Sequence, residues 1–207
     1  MPTRRHILAT AGAVTFAAML PARGQDRPNP MPEALRKALE RDPNAPILGN
    51  PDGDITLTEF FDYNCPFCRK MVPVMQRLIS ADPGLRVVFR EWPVFGEGSE
   101  FAARASLAAL EQRKYWPFHA ALMQLRGKVA EASVMKVARD IGLDEDRLRK
   151  DMAAGHVDEH ITTSFLLGDH MGLMGTPTFI AGDEALFGEN TFRDMQDLIA
   201  RARATLG

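Results

Sequence analysis

Cysteine is scarce: the chain has two, Cys65 and Cys68, in 207 residues. Two thiols so close together cannot staple distant parts of a fold, so a disulfide scaffold is excluded. Charge of one sign is also lacking. Lys plus Arg number 25 against 27 for Asp plus Glu, a formal net charge of -2, and that balance selects neither nucleic acid nor an anionic membrane as partner. There is no internal repeat and no apolar run of membrane-spanning length. The longest, Ile7 to Leu20, has 14 residues where a spanning helix requires roughly 20. What is present, 45% hydrophobic and 25% charged residues, is the composition of a chain that buries a core.

The first 24 residues read as an export signal rather than as fold. They carry Arg4 and Arg5, then the apolar run, then Pro21-Ala22-Arg23-Gly24, and no acidic residue. Thr3-Arg4-Arg5-His6-Ile7-Leu8 resembles the twin-arginine motif, although paired arginines also occur in general secretory signals. Cleavage after Gly24 leaves 22 basic and 27 acidic residues, a mildly acidic chain bound for an oxidising compartment such as the periplasm.

Beyond a Pro-rich leader, residues 25–46 end in a short helix over 32–41 that carries Leu35 and Leu39 on one face. Ile47-Leu48 and Ile55 to Asp62 read as strands, 66–80 as a helix that Pro73 should kink, and 85–91 as a strand. That βαβ order favours parallel pairing. From 99 to 170 the apolar spacing is helical, with breaks near Gly127, Gly142-Leu143-Asp144 and Gly155, which makes a block of four or five helices. Strands at 178–181 and 185–187 and a closing helix over 192–204 complete the chain. The expected architecture is α/β, with first half 47–98, helical insertion 99–170 and second half 171–207.

Chemistry concentrates at Cys65-Pro66-Phe67-Cys68. Cys65 ends a strand and Cys68 lies one turn into the next helix. The unpaired N–H groups at that helix start favour an anion, which lowers the Cys65 pKa and makes its sulfur both nucleophile and leaving group. Pro66 suits the first helical position. Glu59 shares the strand face of Ile55, Leu57 and Phe61, and burial there would raise its pKa and fit it to take a proton from Cys68; a strand-edge glutamate reaching water is the alternative. Thr176-Pro177 opens a strand, and a cis bond there would turn the Thr176 backbone toward an extended peptide, whereas a plain trans turn is the commoner arrangement. Phe67, Met71, Leu173 and Met174 are candidates for a client patch, with core packing expected for at least half of them.

The run Glu59 to Cys68 (EFFDYNCPFC), with Gly175-Thr176-Pro177 much later, resembles the exported thiol-disulfide oxidoreductases of the DsbA-like family. The resemblance extends from about Ile47 to the C-terminus. It implies a thioredoxin-like fold with an inserted all-helical subdomain, no cofactor beyond the redox-active pair, Cys65 attacking and Cys68 resolving, Glu59 as buried acid, and cis Pro177 beside the cysteines. Pro66, Phe67 and Thr176 would meet substrate. Strongly oxidising members carry histidine where this chain has Phe67, and Thr176 stands where they have valine. These departures imply a less extreme thiol and a more moderate oxidant, and the Thr176 hydroxyl is expected to moderate the sulfurs further.

The partners so implied are exported client proteins and a membrane redox partner, with no nucleic acid, and a monomer because few residues precede the first strand. An isomerase or reductase is the alternative within the same chemistry. A zinc- or peptide-binding module is the alternative outside it, since His156 and His160 lie four apart on a helix otherwise expected to show them to solvent. The 87 residues between Cys68 and His156 far exceed the spacing of about 12 to 15 in compact zinc fingers.

Overall fold

The computed structural model describes residues 31–206, so the expected export signal and most of the leader lie outside the described residues. Five strands form one mixed sheet: β1 (Ile47–Gly49), β2 (Ile55–Phe61), β3 (Leu85–Glu91), β4 (Thr178–Ala181) and β5 (Glu184–Phe187), in the order β1-β3-β2-β4-β5. β2 and β3 pair in parallel, as the helix between them dictates, and the other pairs are antiparallel.

Helices cover both faces, which is why every residue of β2 and β3 is buried instead of alternating in and out. On one face, Leu57, Phe61 and Phe89 pack with α2 (Pro66–Ala81), through Met71, Met75 and Leu78, and with α8 (Phe192–Leu206), through Met195, Leu198 and Ile199. On the other, Phe60 and Ile180 pack with Leu39 of α1 (Glu33–Glu40) and Leu167 of α7 (Gly155–His170). α2 runs unbroken through Pro73. Between β3 and β4 come α3 (Glu97–Ala109), α4 (Tyr115–Met123), α5 (Glu131–Asp140), α6 (Glu145–Asp151) and α7. This is a thioredoxin-like fold with a helical insertion.

One helix end falls where the sequence has neither glycine nor proline. α3 gives way to a 3-10 turn, Leu110–Gln112, that Arg113 closes at φ 55°, the left-handed role glycine usually fills. The Lys114 N–H reaches back to the Ala109 carbonyl at 2.9 Å, so the turn is hydrogen-bonded without any residue type that signals it.

α1 is held to the sheet by buried arginines. Arg90, wholly buried on β3, donates to Asp42 Oδ2 at 2.5 Å, to the Leu39 carbonyl at 2.8 Å and to the Ala38 carbonyl. Arg86 donates to the Glu40 carbonyl at 2.6 Å. Both cations therefore satisfy the orphan carbonyls at the negative end of the helix. Arg90→Ala would leave Asp42 without its guanidinium partner and the Ala38 and Leu39 carbonyls unmatched. We expect it to lower the unfolding free energy by about 3–5 kcal/mol, measured by urea titration at pH 7.

Candidate functional site

β2 ends at Phe61, residues 62–64 turn the chain, and the Cys65 side chain caps α2. Its backbone is extended (φ -78°, ψ 117°), its N–H donates to the Asp62 carbonyl at 3.1 Å, and Pro66 opens the helix without an N–H to lose. The Cys65 sulfur accepts the Cys68 N–H at 3.4 Å and donates to the Thr176 carbonyl at 3.2 Å. Both cysteines are buried free thiols.

Their acidities are driven apart. A hydrogen bond from the Cys68 thiol does most to bring Cys65 down to about 6; burial opposes it, and Thr176 and the backbone amides of Cys68 and Phe67 add to the lowering. Burial pushes Cys68 far above the ordinary thiol range, and holding the proton for Cys65 pushes it further. The pair is therefore one thiolate and one thiol at neutral pH, with the charge on the outer sulfur.

Glu59 is 3% exposed in the central strand, so it does not reach water at an edge. Its register partners are Phe89 and Phe179, and burial raises its pKa to about 8, with the Cys65 charge adding to the rise. A neutral carboxylic acid thus lies under the two sulfurs.

The Thr176-Pro177 bond is cis and brings the Thr176 carbonyl to Cys65. The buried Thr176 hydroxyl makes no well-formed hydrogen bond, and Thr176 acts on Cys65 downward, opposite to the moderating effect expected of it. Beside this loop is an apolar groove of about 360 Å³ bordered by Phe67, Met174, Gly175, Thr176, Pro177, Phe187 and Gly188. Of the expected client patch, Phe67 and Met174 are exposed, at 48% and 92%. Met71 is core, and Leu173 packs half-buried against the α1 and α7 side. Phe187, 57% exposed, supplies the wall that sequence reasoning missed. The signal was there: it ends an edge strand, in register with Thr178 just after Pro177.

No local pattern signals the buried polar cluster behind Cys65. Tyr63 and Tyr115 both donate to Glu91 Oε1 at 3.0 Å, and the Tyr63 oxygen also meets Ser106 at 2.7 Å and His119 Nδ1 at 3.1 Å. Burial holds Glu91 well above the usual carboxylate range and brings His119 down to about 3, so the cluster is uncharged.

The two histidines of the zinc reading are not a pair on a solvated face. His160 is wholly buried because α7 packs on β3, where its Nε2 accepts the Glu91 N–H at 3.1 Å, while His156 faces Glu111 at 3.8 Å. Among the described residues no group of three or more His, Cys, Asp or Glu is placed to hold a metal, and none of the helices is long and apolar enough to cross a membrane.

Residues 56–200 match the DSBA-like thioredoxin domain. A thioredoxin-like oxidoreductase from Silicibacter pomeroyi DSS-3 is 50% identical, with TM-score 0.80, over 82% of this chain and 98% of that one. The thiol-disulfide exchange protein alpha-DsbA2 from Wolbachia pipientis is 27% identical, with TM-score 0.76, over 81% and 91%. A stretch 28% identical, covering 64% of this chain, occurs in the Na(+)/H(+) antiporter NhaA 3 of Salinispora tropica and spans 21% of that protein. The chain spans only about a quarter of the length of several such curated relatives.

A Glu59 pKa near 8 against an ordinary value near 4.5 means that the folded protein holds a proton the unfolded chain has released. The stability so conferred is complete below pH 4.5 and is lost as pH rises toward 8. In urea titrations of the reduced protein, Glu59→Gln should gain on the wild type across that window, by an amount on the order of 4 kcal/mol. Parallel profiles for the two proteins would show that Glu59 does not titrate as a buried acid.

Proposed function

The chain belongs to the DsbA-like thioredoxin family, a family of disulfide oxidoreductases, and from that premise we propose that it oxidises dithiols of exported proteins as a periplasmic oxidase of moderate oxidising power. The observation that carries this reading is the Cys65 sulfur, seated as the cap of α2 and facing the Thr176 carbonyl at the end of the apolar groove.

In this reading a client thiolate attacks the Cys65 sulfur of the Cys65–Cys68 disulfide. A client–Cys65 bond forms, the Cys65–Cys68 bond breaks, and Cys68 leaves with the electron pair. Glu59, neutral below about pH 8, supplies the proton that the departing Cys68 sulfur requires. A second client thiolate then attacks the client sulfur of the mixed disulfide and expels Cys65, a good leaving group because its thiolate is stable near pH 6. The client leaves with its disulfide and the protein is left reduced, with two electrons to pass to a membrane redox partner.

The client segment lies in extended form along Thr176-Pro177, and Pro66, Phe67 and the rest of the apolar groove take its side chains without strict selection. Residues 1–24 direct export, and the mature chain acts as a monomer without a cofactor. Oxidation is favoured over reduction because stabilising the Cys65 thiolate stabilises the reduced form, and so makes the disulfide a better electron acceptor.

Equilibration with glutathione at pH 7 should place the potential between the roughly -270 mV of reductants and the roughly -120 mV of the strongest oxidants in this chemistry, in line with a thiol acidity between theirs. A value at or below about -270 mV would turn the reading to a reductase. Cys68→Ala should accumulate mixed disulfides with reduced client peptides activated by a small disulfide, whereas Cys65→Ala should not. If neither variant nor wild type exchanges, the catalytic reading fails.

A further inference from the structure

Asn64, directly before Cys65, takes no part in the exchange steps, yet its side chain is closely engaged at the catalytic corner. Its Oδ1 accepts the Val129 N–H at 2.7 Å, and its Nδ2 donates to the Val129 carbonyl at 3.2 Å and to the Ser99 hydroxyl at 2.9 Å. Such a two-way pairing is what one strand residue makes with another, here made by a side-chain amide with the loop between α4 and α5.

The pairing belongs to a larger set of contacts. The Asn64 N–H donates to Asp62 Oδ1 at 2.6 Å, the Ser99 hydroxyl donates to the same oxygen at 2.7 Å, and the Phe95 N–H donates to Asp62 Oδ2 at 3.0 Å. Arg69, one residue beyond Cys68, runs parallel: its guanidinium donates to the Tyr63 carbonyl and, at 2.9 Å, to the Gly127 carbonyl. The Val129 backbone is a firm anchor, because a Cβ added at Gly98 in α3 would lie 2.1 Å from its carbonyl oxygen.

We propose that Asn64 is a positioning residue for thiol exchange: by pairing with Val129 of the helical insertion and with Ser99, it fixes the corner from which the Cys65 sulfur faces both the Thr176 carbonyl and the Cys68 amide. Those sulfur contacts, at 3.2 and 3.4 Å, weaken steeply once distance or angle drifts. The first crosses from the start of α2 to a loop 111 residues away, whereas the second lies within the first turn of the helix and is the one that stabilises the thiolate, so any tilt of the corner changes the two unequally. The inference rests on the disulfide-exchange reading of Cys65, but its first readout, the ionisation of Cys65, does not depend on exchange with a client.

The test uses Asn64→Ala and Ser99→Ala in the whole mature chain, with three measurements on each: a urea melt, thiolate absorbance at 240 nm against pH in the reduced protein, and the exchange rate with a disulfide peptide. Ser99→Ala removes a single oxygen and guards against failure of the first variant to fold. We expect cooperative melts and a Cys65 midpoint raised from about 6, by about one unit in Asn64→Ala and less in Ser99→Ala. At pH 7 a one-unit rise from that midpoint cuts the thiolate fraction about twofold. Midpoints unmoved in every variant that folds, even with reduced stability, would overturn the proposal and leave Asn64 a structural staple. Absence of exchange in the wild type would instead strike the reading on which it rests.

Discussion

The structure depends on one junction: a strand buried on both faces ends, a helix begins, and a sulfur is its cap. An ordinary cap brings an oxygen to the first free N–H groups of a helix; here the atom is the Sγ of Cys65, which accepts the Cys68 N–H while the Cys68 thiol lies against it. The same burial that would disfavour a thiolate is outweighed by donors that the helix start cannot avoid presenting, so Cys65 falls to about 6. Cys68, one turn deeper, gives its N–H and its thiol proton to Cys65, and desolvation above all, with that shared proton adding to it, holds it in the thiol form. Opposite acidities in two identical side chains thus follow from their order along one helix.

Two glutamates are buried near this junction, and the protein treats them differently. Glu91 is surrounded by donors, Tyr63 and Tyr115, whose hydroxyls hold its Oε1 in an uncharged cluster that ties β3 to the helical insertion. Glu59 has apolar register partners, Phe89 and Phe179, and its pKa near 8 leaves it a proton to give close to neutral pH. An acid that is fully satisfied is architecture. One that is buried, isolated and close to its own pKa has the properties a proton donor needs.

How much of this was legible in the sequence depends on how local the cause is. The strands, α2 with Pro66 at its start, and the acid six residues before the nucleophile are short-range patterns, and the chain reads them out directly. The burial of His160 was not legible, because the period of α7 cannot say that its covered face meets β3 at Glu91. Nor was the break at Arg113, where a left-handed arginine does the work of glycine. Phe187 lay in plain view as a strand residue, but its place beside Pro177 comes from antiparallel register with β4, a pairing between strands rather than a property of either.

The helical insertion has a double relation to the corner. Through α7 it covers the sheet face opposite α2, where Phe60 and Ile180 pack, which makes β2 a strand buried on both sides. Through Ser99 and the 127–129 loop it reaches the other side of the junction and holds Asn64 and Arg69 on either flank of the two cysteines. The cis-Pro loop contributes the one remaining contact, the Thr176 carbonyl, and its position is fixed in turn where the Gly188 N–H donates to the Pro177 carbonyl at 2.8 Å. Cys65 is therefore gripped by segments whose order in the chain is insertion, cis-Pro loop and edge strand, all distant in sequence. The thiol acidity itself arises mainly within four consecutive residues, but the corner that presents them is held by contacts that no local motif contains.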